Sequence, residues 1–138
     1  MKSTSLVSVL YYIAALFDGV LGLAFLFAGP ELFAAFGIPP LENWGYLQFS
    51  AALLIVFGLM FLAVARAPVA NRNLIPYGML LKLSFCSVAL YHWATVGVED
   101  VWKQIAFVDL AFLALFFWSY RAIGRIVEAA GSEVGDRA

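Results

Sequence analysis

Residues 6–28, LVSVLYYIAALFDGVLGLAFLFA, decide the fold, because from Leu6 to Ala28 the chain carries one charged side chain, Asp18, in an otherwise apolar run. In helical conformation, at about 1.5 Å of rise per residue, such a run is long enough to cross a hydrocarbon core. Three further runs have a similar reach: Gly45 to Ala65, Leu74 to Val96 and Val101 to Tyr120. All four are expected to be transmembrane helices. The first is not a signal peptide in this reading, since it is longer than a typical h-region, carries Asp18 in its middle and has no A-x-A-like site before Pro30.

Composition leads to the same class. The 138 residues are 64% hydrophobic and 12% charged, against roughly 45–50% and 25% in soluble domains. Eight basic and nine acidic residues cannot cover the water-facing surface of a soluble domain of this length. A soluble enzyme and a disordered tail are excluded on these grounds. A nucleic-acid binder needs a basic face, which a net charge of −1 does not supply. The first partner expected is the lipid bilayer.

The fold class expected is therefore all-α, an integral membrane up-down bundle of four helices over residues 1–125, followed by a polar tail, 126–138. The breaks between runs fit it: Gly29-Pro30 and Pro39-Pro40 after the first, Arg66-Ala67-Pro68 through Asn73 after the second, and Gly97 to Asp100 after the third. Short connections favour antiparallel neighbours. Asn73 and Asp100 are expected to cap the helices that follow them. Glu31 to Gly37 has apolar residues at short helical spacing and either lies flat in the interface or forms a loop. The tail is polar and contains glycine, and is expected to fray.

Basic residues outside the runs or at their ends set orientation. Lys2, Arg66, Arg72, Arg121, Arg125 and Arg137 fall on one side and Lys103 on the other. Both termini are thus expected in the cytoplasm. The outer side collects Trp44, Tyr46, Trp93 and Trp102 near helix ends, as an aromatic belt would.

Three charged residues lie deep inside the runs: Asp18, Lys82 and Asp109. Counted from the cytoplasmic end of each helix, Asp18 is roughly 18 Å deep, Lys82 roughly 12 Å and Asp109 roughly 16 Å. They share a layer near mid-bilayer, where a lone charge costs at least about 2.5–3.5 kcal/mol, so they are expected to face inward and meet. Asp18 shares a stripe with Ala14, Ala15, Gly22 and Phe25, and Lys82 with Gly78, Cys86 and Ala89. Asp109 shares one with Trp102, Ala106, Leu113, Phe116 and Tyr120. Two readings stay open: an ion pair that fixes which helices touch, or a site for protons or a flat apolar ligand.

Near the outer water layer, His92 is either an interfacial anchor or, with Gln48 and Gln104, part of a ligand or proton-relay site. Cys86 is alone and is expected to be a small core residue. One histidine and one cysteine give no metal-ligand spacing, and His92, Met60 and Met79 lie at unmatched depths for axial haem ligation. No cofactor or catalytic residue is assigned.

The segment Gly22-Leu23-Ala24-Phe25-Leu26-Phe27-Ala28-Gly29, the following Phe36-Gly37-Ile38-Pro39, the glycine-containing second helix and the length together resemble the DoxX-like small bacterial four-helix membrane proteins. The resemblance covers most of the chain through glycine and proline punctuation. It implies a small subunit of the bacterial inner membrane, some relatives being associated with quinone-linked thiosulfate oxidation, and it carries over no catalytic residue. The function expected is a non-catalytic subunit or accessory protein that packs on a protein partner or a second copy in a homo-oligomer. The alternatives are a proton-coupled carrier of a small or lipophilic molecule, and a membrane enzyme acting on a lipid or quinone.

Overall fold

The computed structural model describes residues 2–136; Arg137, counted above for orientation, lies outside the described residues. The described chain is helical throughout its regular structure: α1 (Lys2–Ala35), α2 (Trp44–Arg66), α3 (Ile75–Thr95) and α4 (Asp100–Gly135), with a single 3-10 turn at Arg72–Leu74 before α3. All four α-helices are long and apolar enough to cross a membrane. Large apolar side chains cover their outer faces, including Leu16, Phe27, Phe49, Leu59 and Phe117. That surface suits lipid rather than water, as in a multi-pass membrane protein.

Contacts between helices fix an antiparallel arrangement. On α1 and α2, Gly19 lies against Gly58, Gly22 against Ala51 and Gly29 against Trp44 and Leu47. A Cβ on Gly22 would come within 2.7 Å of the Ala51 carbonyl oxygen, and one on Gly58 within 3.2 Å of the Gly19 nitrogen. Backbones this close bring many atoms into van der Waals contact, which is what holds helices together where lipid is as apolar as the side chains. α3 pairs with α4 through the Cys86 thiol, which donates to the Ala106 carbonyl, and through Trp93 packed on Phe107. α1 meets α4 where the Tyr11 and Ser119 hydroxyls lie 3.0 Å apart and where Phe25 stacks on Trp102.

Several local expectations are corrected. The first helical stretch breaks at Ala28, where the expected first run ends, but Gly29-Pro30 leads into a second helical stretch. Pro30 lacks the N–H that a continuing helix would use, and the chain breaks at Ala28 (φ −130°, ψ 26°) so that the proline begins a second helical stretch, where no donor is needed. That stretch, not a loop, carries Glu31 to Ala35. It closes on Gly37 (φ 67°), with Ile38 N–H donating to the Phe33 carbonyl and Gly37 N–H to Ala34, a Schellman ending that folds Ile38 onto Phe33.

Neither Asn73 nor Asp100 is an N-cap. Asn73 lies within the 3-10 turn, and α3 starts after Leu74 with Pro76 in its first turn, where the missing N–H costs nothing. α4 starts after Glu99, and Asp100 instead accepts from Lys103 at 2.8 Å. The side-chain caps belong to α2: Asn43 accepts from Gly45 N–H at its start, and Asn71 donates to the Ala63 carbonyl at its end.

The tail expected to fray is helical to Gly135. Its start is held by burial of Ala122, Ile123 and Gly124, and Arg72 lies over it with its guanidinium 3.9 Å from the Tyr120 ring centre and Nε donating to the Tyr120 carbonyl. Glu128, Ala129, Ala130 and Glu133 are then good or tolerable helix formers. The 36 residues of α4 span roughly 54 Å, well beyond the hydrocarbon thickness.

Candidate functional site

The antiparallel register brings Asp18 of α1, Lys82 of α3 and Asp109 of α4 into one layer. Lys82 Nζ donates to both oxygens of Asp18, at 2.7 and 3.0 Å, and to Asp109 Oδ1 at 2.9 Å. Lys82 and Asp18 are both fully buried, and Asp109 is 5% exposed. Every N–H of the ammonium thus has an acceptor, which is the condition for tolerating a charge in an apolar surround.

Three aromatic rings surround the ammonium, one from each of the other helices. Nζ lies 5.6 Å from the centre of Phe17, 5.9 Å from Phe61 and 5.2 Å from Phe112. Faces at that range attract a cation. Gly78, one turn before Lys82, makes room for this: a Cβ there would sit 2.5 Å from the edge of Phe61. Of the expected stripes, Ala14, Gly22, Phe25, Gly78, Cys86, Ala89, Ala106 and Phe116 are buried, and Ala15, Trp102, Leu113 and Tyr120 are partly buried.

The layer divides the bundle into two unlike halves. On the side of the termini, Tyr11, Phe61, Phe112 and Phe116 form a packed aromatic plug, with Tyr11 stacked on Phe116 at 4.8 Å and Phe61 at 5.1 Å from Phe116. On the other side the helices enclose a cavity of about 390 Å³. All four helices line it: Asp18 and Phe25 from α1, Leu47 and Ser50 from α2, Leu81 and Phe85 from α3, Trp102 and Asp109 from α4. Both carboxylates stand in its wall. Apart from them and Ser50, the lining is hydrophobic.

Matched against models of protein families, curated proteins and solved structures, the chain has no counterpart.

His92, Gln48 and Gln104 lie in the loop-end half of the bundle, outside the cavity lining, and all three are exposed. Among the described residues no hydrogen bond or ion pair joins them. His92 packs edge-on against Tyr91, with ring centres 5.4 Å apart. This geometry fits an anchor and provides no relay between the three.

The sequence allowed for a flat apolar ligand beside the cluster, but the aromatic cage and the Tyr11–Ser119 contact were not foreseen. The Tyr11–Ser119 contact, and Phe112 of the cage, had a legible signal. Extending the Asp18 stripe one more turn towards the N-terminus passes Ala14 and reaches Tyr11 and Val7, both fully buried. The Asp109 stripe, followed at 3.6 residues per turn, reaches Phe112 and Ser119 rather than Leu113 alone. The cavity's size had none, because a void is set by how far four helices diverge and not by any residue.

Proposed function

We propose that the chain is a non-catalytic, multi-pass membrane protein that holds a lipophilic small molecule in the cavity above the Asp18–Lys82–Asp109 cluster. The cavity carries this reading. Its volume of about 390 Å³ falls within the range of small-molecule sites, and an apolar wall with a few convergent polar groups is their usual character. An ion pair serving structure alone needs no adjoining space, since protein interiors otherwise close to near-crystalline density. The aromatic plug on the opposite side supports holding or carrying a ligand over conducting it through a continuous pore.

The distribution of charge supports an orientation. Lys2, Arg66, Arg72, Arg121 and Arg125 gather at the end holding the termini, and Lys103 lies at the other. Cytoplasmic termini follow from the positive-inside rule. The DoxX-like resemblance supports a bacterial inner membrane as the setting.

A subunit role is the second reading, favoured by the length of α4. Past Tyr120 the helix continues to Gly135 with Val127 and Val134 exposed, a surface available to a protein partner or a second copy. The two readings are compatible, since a ligand-holding subunit satisfies both.

The test is purification in mild detergent followed by mass spectrometry of extracted lipids and of co-purifying proteins. A lipophilic molecule present in stoichiometric amount is expected, and Ser50→Phe, which fills the cavity from an exposed wall position, should lose it. Identical extracts from the parent protein and Ser50→Phe would overturn the binding reading. A stoichiometric protein partner would then favour the subunit.

A further inference from the structure

We infer that the cavity is a site for a lipophilic amine, whose ammonium group takes the place of a proton on the buried cluster. The inference rests on the binding reading above and specifies its ligand.

Hydrogen-bond accounting gives the first constraint. The three N–H groups of Lys82 face three oxygens, both of Asp18 and one of Asp109. The remaining oxygen, Asp109 Oδ2, takes no hydrogen bond among the described residues and is not fully enclosed, and Asp109 stands in the cavity wall. Ser50 already donates to the Tyr46 carbonyl. The floor of the cavity therefore offers an acceptor, and a ligand reaching it must bring a donor.

Charge gives the second. Two carboxylates and one ammonium sum formally to −1. The groups around Asp109 are Lys82 and the Cys86 thiol from α3 and Asp18 from α1, while α2 contributes only the neutral Ser50 hydroxyl to the lining. In an apolar layer the residual charge is matched by one proton or by another monocation. A ligand carboxylate or phosphate would meet charge of its own sign.

The third constraint is the wall. Phe25, Phe85 and Trp102 present aromatic surface beside the acidic floor, which favours a cation and gives an alkyl or aryl body its apolar contact. An ammonium on a lipophilic body meets all three. The exchange balances simply: the O–H bond of the protonated carboxyl breaks, its proton passes to water, and the ammonium, arriving with its own charge, donates N–H to the carboxylate. No electrons move.

The experiment uses the full chain in phosphatidylcholine nanodiscs, titrated with dodecylamine, dodecanol and dodecanoate by calorimetry in two buffers of different ionisation enthalpy, with protein-free nanodiscs as background. Saturable dodecylamine binding is expected, tighter than dodecanol by at least about tenfold, with no dodecanoate binding and one proton released per amine bound. Asp109→Asn should lose the amine and keep the alcohol. Binding of none of the three probes would overturn the cavity reading itself. Alcohol or carboxylate binding as tight as the amine would leave the cavity standing and overturn the cation inference, as would amine binding without proton release or amine binding retained in Asp109→Asn. If Asp109→Asn does not fold, the proton count on the parent protein decides.

Discussion

Lys82 and Asp18 are joined by two hydrogen bonds, of 2.7 and 3.0 Å, across 64 residues of sequence, with neither side chain reaching the surface. Their pairing ties α3 to α1, two helices that do not follow one another in the chain. Asp109 completes the link from α4. An ammonium held this way is costly to strand, and the first prediction concerns its removal.

Lys82→Met leaves two buried carboxyls without their shared donor. Breaking a buried pair typically costs about 3–5 kcal/mol, so a clear fall in the detergent melting temperature is expected. The double variant Lys82→Met with Asp18→Asn should regain part of the loss. A Lys82→Met melt equal to the parent's would show that the cluster contributes nothing to holding α1, α3 and α4 together.

Charge balance gives the second. With a formal sum of −1 in an apolar layer, the parent protein is expected to show infrared absorption from a protonated carboxyl at neutral pH, and Lys82→Met to show more of it. Asp18→Asn and Asp109→Asn should each reduce the band. If no protonated carboxyl is detected in either the parent or Lys82→Met, the layer is hydrated rather than apolar.

Glycines on α1 separate close approach from open space. A side chain at Gly22 meets the Ala51 carbonyl at 2.7 Å, whereas nothing lies within 4 Å of a Cβ at Gly19. Gly22→Leu should destabilise by about 1–3 kcal/mol through overpacking, while Gly19→Ala should be neutral or mildly stabilising. Equal melting temperatures for the two variants would contradict the α1–α2 seam.

Arg72 and Gly124 are coupled in the same manner at the other end. A Cβ on Gly124 would sit 2.7 Å from Arg72 Nη2, so Gly124→Ala should displace the guanidinium from Tyr120 and lower stability. In an Arg72→Ala background the same change should be harmless, since the obstacle is gone. Additive losses in the double variant would place the arginine elsewhere.

Orientation is checked by labelling in a Cys86→Ala background. Glu42 and Asn73 are exposed on the connections at opposite ends of the bundle. An impermeant thiol reagent applied to intact cells should modify Glu42→Cys and spare Asn73→Cys. The reverse pattern would invert the proposed topology.

The four long apolar helices were legible because a helix with apolar side chains on every face leaves little choice of composition, and Asp18, Lys82 and Asp109 stood out against that background at matching positions. Helix ends were harder. The break at Ala28 arises upstream of Pro30, where the geometric demand of the proline is met. α3 begins at Ile75 rather than after an Asn73 cap, with Pro76 in its first turn, where the N–H that proline lacks would have no partner in the helix. α4 outlasts its apolar run because Arg72, distant in sequence, covers Gly124 and Tyr120. Each of these depends on a neighbour that local reading does not supply.

The plug of Tyr11, Phe61 and Phe116 beneath the lysine has an electrical consequence. It closes the end that holds the termini, while the cavity has exposed wall residues at Ser50 and Leu53 on α2, so a charge reaching Asp109 through the cavity would traverse only part of the membrane field, roughly half by depth. A full crossing is worth about 2.3 kcal/mol per elementary charge at 100 mV, and half of that changes occupancy by several-fold. If the proposed cation site is occupied in a membrane, its occupancy would then vary with the membrane potential, rising or falling with its sign.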